Sequence, residues 1–218
     1  MTEVVAAIAA LPDPDGEGLD GISFDTASLK TRRIREEGLY AGVRVTLDAQ
    51  LATAPLKVCL DVNTGDPITP GPQRVRLPSV RPGSPAVSVL GYPLETVLAE
   101  KLATAIELGE VNTRMKDYAD VWTLTGRRSF THATVRTALI ATTSYRRTAL
   151  VPLADRIAAL ATMRAAAFAA YGRSLGAAGS HLPARLDEVV ADVVAFAAPL
   201  VSERQAGSTW MPASRSWS

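Results

Sequence analysis

The hydrophobic residues of this chain change their spacing near Pro93, and this change constrains the fold most strongly. Before it, Val43, Val45 and Leu47 alternate with polar residues, which predicts a half-buried β-strand. From Leu94 onward, apolar residues recur every three or four positions, which predicts amphipathic helices. The sequence therefore predicts an α+β protein with a β-rich first half and an all-helical second half.

The same pattern divides the chain into three regions. A sheet region covers residues 1–90, a helical region covers 91–202 and a tail covers 203–218. The apolar run around Cys59 predicts a strand that is central in the sheet, with Cys59 as a buried thiol. The tail has turn residues and little hydrophobic pattern, which predicts a mobile segment.

Composition and charge exclude several classes of protein. The chain has 218 residues, 47% of them hydrophobic, and a net charge of +1, so it has material for a core and no strong bulk attraction to nucleic acid or membrane. Its single cysteine excludes an internal disulfide. The N-terminus lacks the regions of a signal peptide, and no window has the roughly 18 apolar residues of a membrane span. We therefore expect a cytoplasmic protein with no membrane partner.

Lys101 lies on the apolar face of the first predicted helix. It follows Leu94 by seven residues and Leu98 by three, so its side chain points toward the protein or into a cleft. The aliphatic stem could pack there while the ammonium group reaches water. Alternatively, the charge could serve a binding site.

Asp117 and Asp61 are acids in two further positions of interest. Asp117 precedes Val121 by four residues and Leu124 by seven, so it either faces inward or caps the second predicted helix, with Asp120 three residues further on. Asp61 ends an apolar run, where it could open a turn or handle a metal or a nucleophile. One lysine and two or three acids in one cleft would suit phosphoryl transfer from a nucleoside triphosphate.

Two blocks of the sequence resemble a known family. They are "YPLETVLAEKLATAIELGEVNTRMKDYADVW" and, upstream, "REEGLYAGVRVTLDAQLATAPLKVCLDVNTGDPITP". Both are similar to segments of the AbiEii/AbiGii-type nucleotidyltransferase toxins, which include the MenT proteins. The similarity spans about residues 20–125, and the order of the motifs is more specific than any one of them.

The resemblance implies a polymerase-β-like nucleotidyltransferase sheet, partial in this chain, followed by a helical bundle. It implies Mg²⁺-dependent transfer of a nucleotide from an NTP to an RNA acceptor, the tRNA 3′ end, and inhibition by a cognate antitoxin. By resemblance, Asp61, Lys101 and Asp117 are catalytic and Asp61 is a metal ligand. Lys101, Arg114 and Asp120 are the nucleotide-binding residues by the same resemblance.

The chain departs from the family at its first motif, a Gly-Ser turn followed by D-x-D on a strand, whose acids hold the metal. The early pair Asp13 and Asp15 lies in a Pro/Gly loop instead. We therefore expect that the start codon lies upstream of Met1 or that the chain is a truncated toxin with impaired catalysis. The alternative function is a non-catalytic remnant that binds an antitoxin or RNA. A third interpretation is an α+β domain whose charges are only caps and surface.

Three structural expectations follow. Asp61, Lys101 and Asp117 should line one concave surface. An incomplete sheet should leave apolar strand residues poorly covered, namely Val43, Val45, Val58 or Leu60. Clustered arginines could form an RNA-binding surface or a solvated face: Arg32, Arg33, Arg35, Arg127, Arg128, Arg146 and Arg147.

Overall fold

The structure is a computed structural model that describes residues 21–34, 42–63, 65–80, 82–202 and 207–218. The chain divides into two compact units, Met1–Gly65 and Asp66–Ser218. The change in hydrophobic spacing predicts a boundary at residue 90 instead. The difference arises because a β-hairpin between residues 66 and 91 belongs to the second unit.

The first unit contains an antiparallel sheet of three strands. Its strands are β1 (Ile22–Ile34), β2 (Gly42–Leu51) and β3 (Ala54–Asn63), in the order β1-β2-β3. One face of β2 is buried through Val45, Leu47 and Ala49, which alternate with more exposed polar residues. This pattern confirms the strand that the alternation around Val45 predicts.

Two predictions about this sheet are wrong. The strand β3 lies at one edge of the described sheet rather than in its centre, and Cys59 on it is exposed. The central strand is β2, because it pairs with β1 on one side and with β3 on the other. Poor coverage is confirmed for Leu60, which is 46% exposed, but not for Val45, which is 1% exposed.

The second unit begins with a β-hairpin and continues with helices. The hairpin joins β4 (Gln73–Leu77) to β5 (Val87–Gly91). The helices are α1 (Leu94–Leu108), α2 (Met115–Thr125), α3 (His132–Arg146), α4 (Leu153–Arg156), α5 (Leu160–Ser174) and α6 (Leu186–Ala197). Short 3₁₀ turns cover Gly109–Val111, Gly176–Gly179 and Ala198–Val201.

The helices of the second unit share one hydrophobic core. The apolar stripe of α1 is buried through Leu98, Leu102 and Ala105, as the helical spacing predicts. Leu139 of α3 and Phe196 of α6 belong to the same core. None of the helices in the described part of the chain is long and apolar enough to cross a membrane.

The C-terminal segment corrects the prediction of a mobile tail. Its described part forms β7 (Thr209–Met211) and β8 (Ser216–Trp217), which pair with β6 (Phe130–Thr131) in the order β6-β7-β8. Trp210 is fully buried, and its Nε1 donates to the carbonyl oxygen of Thr125 over 2.8 Å. Strands of two or three residues are too short to show a hydrophobic period, so the segment resembles a tail in sequence.

Candidate functional site

Lys101 is the centre of a charged network between α1 and α2. Its Nζ atom donates to Asp117 Oδ1 and to Asp120 Oδ2, each over 2.8 Å. The side chains of Lys101, Asp117 and Asp120 are only 18%, 9% and 28% exposed. The inward orientation of Lys101 and Asp117 is therefore confirmed. Two carboxylates hold the ammonium group, and the Lys101 side chain also lines an open groove.

Two further cations extend this arrangement at its ends. Arg114 Nε donates to Asp117 Oδ2 over 2.5 Å, and Lys116 Nζ donates to Asp120 Oδ2 over 2.6 Å. Arg114, Asp117, Lys101, Asp120 and Lys116 thus alternate in charge, and we call them the Lys101 network. The side chains of the two end cations are more exposed: 54% for Arg114 and 66% for Lys116. Three cations face two carboxylates, so the network retains one net positive charge.

The start of α2 positions the acids of the network. The helix begins at Met115, and Arg114 occupies the N-cap position, so the interpretation of Asp117 as the cap is wrong. Asp117 lies in the first turn instead, where the positive end of the helix dipole favours a carboxylate. Asp120 and Lys116 are four residues apart and therefore meet on one helix face.

The network also determines the charge state of its members. Burial lowers the pKa of Lys101, but its hydrogen bonds to Asp117 and Asp120 outweigh burial and raise that pKa above its usual 10.5. Burial acts to raise the pKa of Asp120, but the hydrogen bonds from Lys101 and Lys116 hold it below its usual 3.8. Both groups therefore stay charged near neutral pH. The charged Lys101 ammonium group suits electrostatic contact with an anion better than proton transfer.

Two hollows adjoin the network within the second unit. Lys101 and Asp120 line a groove of about 340 Å³, which we call the Tyr171 groove. Arg114 and Lys116 line a second hollow of about 350 Å³, and Tyr171 of α5 lines both. Sequence reasoning missed Tyr171 because no local spacing connects it with residues 50 to 70 positions upstream.

Asp61 belongs to the first unit, on β3. Arg44 of the neighbouring strand β2 holds its carboxylate, with Nε and Nη2 donating to Oδ1 and Oδ2 over 2.6 and 2.7 Å. The cross-strand pairing of Arg44 with Asp61 explains this contact. The convergence of Asp61 with Lys101 and Asp117 stays a prediction.

The described carboxylates do not fit a magnesium site. Among the residues that the structure describes, no group of three or more His, Cys, Asp or Glu side chains is arranged to hold a metal ion. Asp61, Asp117 and Asp120 are each held by arginine or lysine instead. Asp13 and Asp15 lie outside the described residues.

One of the clustered arginines is a structural residue. Arg146 is buried, and its Nε and Nη2 donate to the carboxylate of Asp66, while Nη1 donates to Thr104 Oγ1 over 2.7 Å. The interpretation of Arg146 as part of an RNA-binding surface is therefore wrong. Arg127 and Arg128 are exposed, and Arg35 lies outside the described residues.

Comparison with known proteins identifies the family. The family model for the nucleotidyl transferase AbiEii toxin of type IV toxin–antitoxin systems matches residues 15–192, a segment that includes the whole Lys101 network and Asp61. A search of curated proteins and a search of solved structures each gave no match. The family implies a nucleotide substrate and an antitoxin partner. Because the match covers most of its length, the chain belongs to the AbiEii family of nucleotidyltransferase toxins.

Proposed function

We propose that this protein transfers nucleotides from an NTP to an RNA acceptor, the tRNA 3′ end, and that a cognate antitoxin blocks the reaction. The Lys101 network carries the proposal. It combines a half-buried ammonium group with two exposed cations, and it retains a net positive charge. Such a set can bind the phosphate groups of a nucleotide while its geometry is fixed in advance.

The ammonium group of Lys101 has the capacity for this contact. It carries three N–H donors, and the two described partners, Asp117 and Asp120, use two of them. The third can donate to a triphosphate oxygen. Arg114 and Lys116 would add contacts at the exposed ends. Asp117 and Asp120 would act as positioning residues, since they hold the lysine at a fixed place.

Asp61 would accept the proton of the acceptor hydroxyl group. To do so, its carboxylate must leave the pair with Arg44, whose side chain is 40% exposed. We propose that transfer by this chain is slow, because its described carboxylates do not form a site for Mg²⁺, the cofactor that the family resemblance implies.

The test is a transfer assay with purified protein, labelled NTPs, Mg²⁺ and total tRNA over a long incubation. We expect slow labelling of tRNA that falls by at least about 100-fold in Lys101→Ala, because a lost charge contact in the transition state costs about 3 kcal/mol. Lys57→Ala is the matched control, since Lys57 is an exposed lysine on β3 that pairs with Asp48 over 3.0 Å. It should label tRNA at the wild-type rate.

The folding of the variants needs its own control, because Lys101→Ala leaves two carboxylates without their shared partner. The variant Lys101→Met/Asp117→Asn/Asp120→Asn removes the three charges together and keeps the side-chain sizes. It should fold and still fail to transfer. Equal labelling by wild type and Lys101→Ala would show that Lys101 does not serve the reaction.

A second candidate function is binding without catalysis, to an antitoxin or to RNA. Asp61, Asp117 and Asp120 are each paired with a basic residue, and this pairing favours the non-catalytic function. It predicts that wild-type protein labels no tRNA in the same assay, yet binds the antitoxin or tRNA. That outcome would contradict nucleotidyl transfer by this chain.

A further inference from the structure

The Tyr171 groove has walls that the proposed reaction does not use. Beside Lys101 and Asp120, it is lined by Tyr171 and by aliphatic residues, namely Val97, Leu124, Leu175 and Leu182. Tyr171 packs against the hydrophobic core and is only partly buried. An aromatic side chain beside several aliphatic ones suits a flat, apolar ring with polar edges.

One wall of the groove is held in place by a side-chain contact. Thr123 Oγ1 of α2 and His181 Nε2 are 3.2 Å apart, and His181 Nδ1 lies 2.9 Å from the carbonyl oxygen of Ala178. The carbonyl oxygen can only accept, so Nδ1 carries a proton, and in the neutral ring Nε2 accepts from the Thr123 hydroxyl group. This pair ties the turn after α5 to α2, so the groove is preorganised.

The charge of the groove is small and specific. Lys101 is compensated by Asp117 and Asp120, whereas Arg127 is exposed and pairs with no carboxylate among the described residues of the second unit. One uncompensated cation matches a single phosphodiester, which carries one negative charge. A triphosphate carries several charges and would also need Arg114 and Lys116, which line the second hollow and not this groove.

The size of the groove, like its charge, suits a single nucleotide. Its volume of about 340 Å³ lies at the lower end of the range for small-ligand pockets, roughly 300–1,000 Å³. We propose that the Tyr171 groove binds one nucleotide of a single-stranded RNA end, with the base stacked on Tyr171 and the phosphate at Arg127. The identification of this RNA as the acceptor rests on the proposed function. The bound nucleotide would lie beside Lys101, where the triphosphate is expected.

The test measures binding without the reaction. A fluorescently labelled single-stranded RNA of five nucleotides is titrated with protein in the absence of NTP, and anisotropy reports the affinity. We expect Tyr171→Leu to weaken binding about tenfold, because leucine fills the space but cannot stack. Tyr171→Phe should bind like wild type. The matched control is Tyr145→Leu, which removes an exposed tyrosine outside the groove.

Arg127 and Arg128 form a second matched pair, since both are exposed and only Arg127 lines the groove. Arg127→Ala should weaken binding and reduce the slope of log affinity against log salt by about one, as expected for one lost phosphate contact. Arg128→Ala should leave the slope unchanged. Equal effects of the two variants would show diffuse attraction and overturn the proposal.

A parallel titration with free NTP shows whether the groove binds the RNA nucleotide or the incoming NTP. We expect Tyr171→Leu to leave NTP affinity unchanged; weaker NTP binding with unchanged RNA binding would assign the groove to the incoming nucleotide and overturn the proposal. Unchanged RNA binding in folded Tyr171→Leu protein, checked by circular dichroism, would also overturn it. If RNA binding depends on Tyr171 but wild-type protein transfers nothing, the groove is supported and the proposed transferase function fails.

Discussion

At the scale of single residues, Lys101 shows why a charge can lie on the apolar face of a helix. Its ammonium group is half-buried but never unpaired, because Asp117 and Asp120 of α2 meet it. An isolated buried charge would cost several kcal/mol, and the two hydrogen-bonded partners offset that cost. Asp117 and Asp120 in turn take a second cation each, from Arg114 and Lys116.

Asp120 makes the stability of the protein depend on acid pH. Because its folded-state pKa is below the ordinary 3.8, its contribution is fully present above that value and is lost as pH falls through the folded pKa. We expect the difference in free energy of unfolding between wild type and Asp120→Asn to shrink as pH falls from about 5 to below 3.8. Urea denaturation at several pH values measures this. A difference that grows on acidification would contradict the role of Asp120 in the network.

At the scale of elements, the end of α3 carries a residue in a costly conformation. Arg147 follows the last helical residue and has a φ of 54°, in the left-handed region. Its N–H donates to the carbonyl oxygens of Ser144 and Thr143, and the N–H of Thr148 also donates to Thr143. This is the usual end of a helix, at which glycine avoids the steric cost of a side chain.

Arg147→Gly should therefore stabilise the protein by about 0.5–1 kcal/mol. The left-handed conformation costs a residue with a β-carbon about 1–2 kcal/mol, and glycine avoids this cost. Part of the gain is lost because glycine has more conformational entropy in the unfolded chain. Thermal or urea unfolding measures the gain. Arg147→Ala removes the exposed charge but keeps the β-carbon, so it should bring no comparable gain. A gain of equal size in the alanine variant would attribute the effect to charge.

At the scale of the whole molecule, the C-terminal segment closes the core of the second unit. The ring of Trp210 lies 5.0 Å from that of Phe196 and 5.5 Å from that of Trp217, measured between centroids. Trp217 Nε1 donates to the carbonyl oxygen of Phe196 over 3.0 Å. The last strands thus link α6 to the end of α2, where Thr125 accepts from Trp210.

Trp210→Ala should lower the free energy of unfolding by about 3–5 kcal/mol, since it removes a large side chain with no exposure and leaves a cavity. Met211→Ala is the matched control on the same strand. Met211 is 42% exposed, so its truncation should change stability by only about 0.5 kcal/mol. A mild effect of Trp210→Ala in urea unfolding would mean that the segment is not part of the folded core.

The sequence by itself determined those features that follow from the spacing of hydrophobic residues within one helix or strand. The alternation around Val45 predicted β2, and the helical spacing predicted that Lys101 and Asp117 point inward. Both patterns depend only on backbone geometry. The α+β class rests on the same periodicity and the family resemblance on the order of sequence motifs, and both are confirmed.

The tertiary structure decided which of these local elements meet. It placed β3 at an edge with Cys59 exposed, buried Trp210 of an apparently featureless tail, and brought Tyr171 to the groove beside Lys101. Contacts of this kind join residues far apart in the chain, and no spacing within one element encodes them. The burial of a strand, a tail or an aromatic ring depends on which partners pack against it, and that is a property of the folded chain.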